Sequence, residues 1–108
     1  LFAKGRGLSL AVASSVPWVA CSVGYVGVSD GWQTLSRGEG LNSAYQRAED
    51  GNIALSGTID LAASGGRAVF TIGFGMMPEE AALRALLSLQ QPQAASLESY
   101  CQGWRQCL

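Results

Sequence analysis

Apolar and polar residues alternate with a period of two over most of the first three quarters of the chain, then switch to a helical period. Leu8, Leu10 and Val12 alternate with Ser9, Ala11 and Ala13. That pattern predicts a strand with its larger residues packed inward and small residues on its other face. Residues 1–3 are also apolar, and Lys4-Gly5-Arg6-Gly7 separates the two runs as a hairpin turn would. Pro17 lacks a backbone donor and marks a loop or an edge. Residues 18–23 then resume as a strand rich in small side chains. Five glycines fall within residues 24–40, with Ser29, Asp30 and Ser36 among them, so an irregular connection holding Trp32 is expected there. A strand over residues 42–49 is expected to pair with one over 53–61 across Asp50-Gly51-Asn52. Tight hairpin turns need positive φ, which Gly and Asn adopt cheaply. Residues 62–66 supply the next turn. A strand over 67–74 follows, with Ala68, Phe70 and Ile72 on one face and Val69, Thr71 and Gly73 on the other.

The period changes after Gly75. Pro78 suits the first position of a helix, and Glu79 and Glu80 sit where the positive end of the helix dipole favours acids. Leu83, Leu86, Leu87 and Gln90 share one helical face, and Pro92 ends the run. Leu97, Tyr100, Cys101, Trp104 and Leu108 then repeat at helical spacing and predict a second amphipathic helix. Closely spaced strands without intervening helices pair antiparallel. The expected class is therefore mainly β: an antiparallel β-sandwich portion over residues 1–76, followed by two C-terminal helices over residues 77–108.

The order of several short pieces carries a resemblance. Tyr25-Val26-Gly27 is followed by Ser29-Asp30-Gly31-Trp32-Gln33, by Tyr45, and by Arg47-Ala48. Gly51-Asn52-Ile53-Ala54-Leu55-Ser56-Gly57 comes next, and Ile59-Asp60-Leu61 closes the series. Phe70-Thr71-Ile72-Gly73-Phe74-Gly75 and Pro78-Glu79-Glu80-Ala81 continue it. The series resembles the N-terminal β-sandwich domain of bacterial glucoamylases and glucodextranases, in glycoside hydrolase family 15. Where that pattern has a tryptophan just ahead of Tyr45, this chain has Asn42-Ser43-Ala44. The resemblance implies the C-terminal part of a larger, super-sandwich domain. It implies a parent enzyme that hydrolyses terminal α-glucosidic bonds with inversion and releases glucose. The partner it implies is a catalytic (α/α)6 barrel in the same parent chain, reached through the helical tail, with α-glucan as the carbohydrate.

Composition narrows the alternatives. At 108 residues the chain holds at most one domain by size. A net charge of −1 and arginines spread along the chain argue against nucleic acid, which needs clustered positive charge. The longest apolar runs fall well short of the ~20 residues of a membrane helix. Three cysteines cannot all pair within one chain, and Cys101 and Cys107 lie ~9 Å apart along one helix, beyond disulfide reach. Free, buried thiols are expected. Missing strands would leave an edge or an apolar face through which copies self-associate. A bacterial parent outside the cytoplasm, secreted or periplasmic, is favoured over a cytoplasmic one.

Candidate chemistry is sparse. Gly27-Val28-Ser29-Asp30-Gly31 matches the G-x-S-x-G nucleophile pattern. The chain has no histidine to activate such a serine, and a glycine-bracketed Ser or Asx turn explains it. The same lack of histidine and the absence of a C-x-x-C spacing leave no metal site, and no cofactor is expected. Gly73 and Gly75 before a helix lack the lysine of a phosphate loop. Inverting glycosidases need two acids ~6.5–9.5 Å apart. In the resembled family a helical barrel supplies them, so no residue of this chain is expected to be catalytic. The remaining candidates are Asp30, Trp32 and Gln33, an aromatic face with nearby carboxylate and amide groups, as sugar-holding sites use. Trp32 could instead plug the end of the sandwich or dock onto the catalytic domain. A free-standing β-rich carbohydrate-binding or adhesion module is the rival reading, and two amphipathic helices in the tail weigh against it.

Overall fold

The structure, a computed structural model, describes residues 1–41 and 47–107. Its strands are β1 (Phe2–Gly5), β2 (Leu8–Ser14), β3 (Trp18–Tyr25), β4 (Ile53–Ile59) and β5 (Phe70–Gly75). Its helices are α1 (Gly31–Ser36), α2 (Pro78–Gln90) and α3 (Gln93–Cys107), with a short 3-10 turn at Ala62–Ser64. The mainly antiparallel, two-sheet class followed by two C-terminal helices is as expected. One sheet has the order β1-β2-β5 and the other pairs β3 with β4. The chain divides into two compact units, one of Leu1 and Ser14–Val69, the other of Phe2–Ala13 and Phe70–Leu108.

In the second unit, β1 and β2 form the expected hairpin, with Phe2 opposite Ala11 and Gly5 opposite Leu8. Its turn places Arg6 and Gly7 at positive φ, the backbone that closes a two-residue hairpin. The inward face, however, is the small one. Ser9 and Ala11 on β2 and Gly73 and Gly75 on β5 are buried, while Leu8, Phe70, Ile72 and Phe74 are exposed. Ala11, Ala81 and Ala85 form the core of this unit, with Ala13 and Ala82 packed against it. The cause is the close approach of α2. A Cβ at Gly73 would run into the backbone carbonyl of Ala81 and come within 2.6 Å of the Ala85 nitrogen. Only the face with the smallest side chains can receive a helix at that distance. Thr71 secures the contact by donating its hydroxyl to the Ala85 carbonyl at 2.6 Å.

The same geometry turns α2 around relative to its leucine pattern. Ala81 and Ala85 are buried, and Leu83, Leu86 and Leu87 face solvent. Pro78 begins α2 as expected, and the helix stops at Gln90, two residues before Pro92. Glu80 accepts from the Met76 amide at 3.0 Å and pairs with Arg84 at 2.7 Å, and Arg84 donates to the Phe74 carbonyl. Acid and base thus staple the end of β5 to the start of α2. None of the residues of α3 is buried, and Leu97, Tyr100 and Trp104 form an exposed stripe with Tyr100 and Trp104 edge to face at 6.2 Å.

In the first unit, β4 pairs with β3. Tyr25 lies opposite Ile53 and Val23 opposite Leu55. Residues 42–46, including the departure ahead of Tyr45, lie outside the described residues, and Arg47, Ala48 and Glu49 are not in a strand. The turn takes its positive φ at Asp50, 55°, and not at the Gly51 or Asn52 expected to supply it. β3 offers the alternation that β4 needs, which the local pattern did not reveal. The strand expected over 67–74 begins only at Phe70. Residues 67–69 lead into it, and Ser15 and Val69 exchange two hydrogen bonds of 2.9 Å.

Candidate functional site

The candidate residues sit where β3 leaves its sheet. After Tyr25 the chain reverses, the Val28 and Ser29 amides donating to the Tyr25 carbonyl, while the Ser29 hydroxyl accepts from the Tyr25 amide at 3.0 Å. A side chain at Gly24 would collide with the Ser29 carbonyl, so the reversal needs glycine there. Ser29 is therefore a turn-forming serine, as the bland reading of the G-x-S-x-G match holds.

The segment after Gly31 is a short helix and not the irregular connection expected. Asp30 is its N-cap. Oδ1 accepts from the Gln33 amide at 3.1 Å, and Oδ2 accepts from the Gly27 amide. Asp followed three residues later by Gln is a capping-box spacing, a signal present in the sequence but outweighed by the surrounding glycines. Asp30 is buried. Its carboxyl is held below the ordinary 3.8, chiefly by the Gly27 amide, against the opposing effect of burial and with the help of Gln33 and Trp32. Gly31 is buried where a Cβ would meet the Ser56 side chain, so α1 lies on the small-residue face of the β3–β4 sheet.

The three candidates thus part company. Asp30 spends both carboxylate oxygens on the backbone, and the half-buried Gln33 adds its side chain and amide to the same cap. Trp32 points outward at 70% exposure, with Leu35, Val26 and Val28 also exposed. It does not plug a core. A second clasp lies on the opposite side of Tyr25. The Tyr25 hydroxyl donates to the Glu49 carbonyl at 2.7 Å and accepts from the Glu49 amide at 3.3 Å. The Val26 amide donates to the Asn52 carbonyl at 2.9 Å. Tyr25 therefore holds both the 26–31 turn and the 49–52 turn, a role that sequence spacing did not reveal because its partners are backbone atoms.

Among the described residues, two of the open grooves lie in the second unit. One, of about 550 Å³, is lined by Ala3, Leu8, Leu10 and Phe74 with the Lys4–Arg6 turn. The other, of about 530 Å³, lies at the α2–α3 junction among Gln91, Pro92, Ala95, Ser96, Ser99 and Tyr100. Neither contains a carboxylate, so neither holds the acid pair that inverting glycoside hydrolysis requires. Among the described residues no group of three or more His, Cys, Asp and Glu is placed to bind a metal. All three cysteines are free thiols. Cys21 and Cys101 are half-buried, and Cys107 is exposed on α3 where burial was expected.

Comparison with known proteins agrees with the geometry. The family model described as "Glucodextranase, domain N" matches residues 1–108. Among solved structures, a bacterial glucoamylase complexed with acarbose is similar at 27% identity and a TM-score of 0.75, over 95% of this chain. The chain spans 15% of the length of that glucoamylase. No curated protein matches it.

Proposed function

Because the chain belongs to the glucodextranase domain N family, we propose that it is a non-catalytic support domain of an α-glucan-hydrolysing enzyme of the glucoamylase or glucodextranase type. In that parent a catalytic (α/α)6 barrel would cleave α-glucosidic bonds with inversion and release glucose. The observation that carries this reading is the family match over the whole chain. The uncovered apolar stripes of α2 and α3, Leu83, Leu86 and Leu87 on one and Leu97, Tyr100 and Trp104 on the other, support it. Such stripes are what a helix offers to another helical domain. Asp30 and Gln33 hold their own turn and leave polar contact with substrate to the barrel.

The test is made in the parent enzyme. Leu86→Asp and Trp104→Asp are expected to lower the temperature at which activity is lost while kcat and KM at low temperature stay unchanged. Hydrolysis of maltooligosaccharides by the 108-residue chain alone would overturn the reading, as would unaltered thermal inactivation in both variants.

A second reading, a β-rich carbohydrate-binding module, rests on the outward-facing Trp32. Its ring would pack on the C–H face of a glucose unit, with Asp30 and Gln33 fixing the helix that presents it. Retardation of the chain in an amylose gel, abolished by Trp32→Ala with melting unchanged, would favour this reading. Equal mobility of wild type and variant would remove it.

A further inference from the structure

The chain contains two Asp-Gly pairs, Asp30-Gly31 and Asp50-Gly51. In such a pair an aspartyl side chain closes most readily on its own backbone, because glycine places no side chain in front of the attacking amide. The fold treats the two pairs differently. Asp30 is buried, both of its carboxylate oxygens accept backbone amides, and Gly31 is buried beside it in the first turn of α1. Within its own unit the second pair is exposed, and among the described residues neither the Asp50 carboxylate nor the Gly51 amide has a hydrogen-bond or ion-pair partner. Asp50 also holds φ of 55°, a left-handed backbone that is costly for a residue with a Cβ. Glycine suits the position after it, since a Cβ at Gly51 would press on the Tyr25 ring at 3.1 Å.

We propose that Asp50-Gly51 is a site of spontaneous isoaspartate formation and that Asp30-Gly31 is protected from it. The Gly51 nitrogen attacks Cγ of the protonated Asp50 carboxyl. The N–Cγ bond forms, the Cγ–OH bond breaks, and the amide proton leaves with the hydroxyl as water, giving a five-membered succinimide. Water then opens the ring at either carbonyl. Opening at Cγ restores aspartate, and opening at the main-chain carbonyl of Asp50 leaves the chain running through Cγ. No oxidant, reductant or cofactor takes part, and the product has the mass of the starting chain. At Asp30 the same attack requires the carboxyl to leave the Gly27 and Gln33 amides, which takes a local opening of the start of α1. The product at residue 50 adds one carbon to the main chain between Glu49 and Asn52, the residues that Tyr25 and Val26 hold. Ageing therefore loosens the clasp on the 49–52 turn and leaves α1 capped. It also makes residue 50 a substrate for the class of methyltransferase that esterifies isoaspartyl carboxylates. This chemistry belongs to the turn itself and does not depend on the catalytic partner proposed above.

To test it, the protein is incubated at neutral pH and physiological temperature and digested with trypsin. Its peptides are then labelled by an isoaspartyl methyltransferase with a tritiated methyl donor. Trypsin separates the two pairs, one into residues 7–37 and the other into residues 48–67. Label is expected to accumulate in 48–67, located at Asp50 by fragmentation, and to appear roughly tenfold or more slowly in 7–37, where Asp30 reacts only from an opened state. Deamidation of Asn52, in the same peptide, changes the mass and is told apart by it. Incubated in guanidinium chloride, the two peptides are expected to label at similar rates. Asp50→Glu, whose side chain would have to close a six-membered ring, is expected to lose the label from 48–67. Hydrogen exchange at the Val26 and Glu49 amides should quicken in the aged protein. Equal label in both peptides of the native protein would overturn the proposal. So would a native 48–67 peptide that stays unlabelled while the denatured one gains label, or label that persists in Asp50→Glu.

Discussion

Ser9 holds a polar atom in a costly position. It is 1% exposed, and among the described residues its hydroxyl has no hydrogen-bond partner. An unsatisfied buried hydroxyl costs on the order of 1–3 kcal/mol, and alanine fits the same face. Ser9→Ala is therefore expected to raise stability by about 1 kcal/mol in urea unfolding. Asp30 works in the opposite sense. Because its carboxyl is held below 3.8, it adds stability that is present above that pH and lost as the pH falls through its lower folded value. The amide resonances of Gly27 and Gln33 should titrate together in that acid range and cease to do so in Asp30→Asn. Tyr25→Phe should cost about 1 kcal/mol, the worth of its hydroxyl bonds to Glu49.

At the scale of elements, the joint between β5 and α2 is the tightest in the described structure. Gly73→Ala pushes a methyl group into the backbone of α2, which cannot give way as a side-chain tip can. A loss of about 3 kcal/mol in chemical unfolding is expected, the upper end of ordinary overpacking. Glu80→Gln keeps the shape of the staple to Met76 and Arg84 but removes its charge. Both side chains are well exposed, so the loss should be about 0.5 kcal/mol and should shrink in high salt.

For the whole molecule the governing fact is that apolar residues outnumber the buried positions that receive them. Helix α2 keeps Ala81 and Ala85 for the sheet, α2 and α3 turn their leucines and aromatic residues outward, and the sheet turns its large face away from α2. A chain built this way binds apolar dyes when alone, and Leu86→Glu combined with Trp104→Glu should lower dye fluorescence without lowering helix content. The same surplus underlies the catalytic-domain docking proposed above.

Period and punctuation along the chain determined a good deal by themselves. The β1–β2 hairpin, the loop at Pro17, the start of α2 at Pro78 and its end before Pro92 follow from local backbone chemistry, which needs no distant partner. Residue order carried the family as well. What only the tertiary structure decided was partnership: that β4 pairs with β3, that Trp32 faces outward, and that alanine and glycine fill the seam between β2, β5 and α2. Alternation tells which residues share a face. It does not tell which face is covered, because that depends on how closely another element can approach, and in this chain α2 approaches so closely that only the smallest side chains fit beneath it.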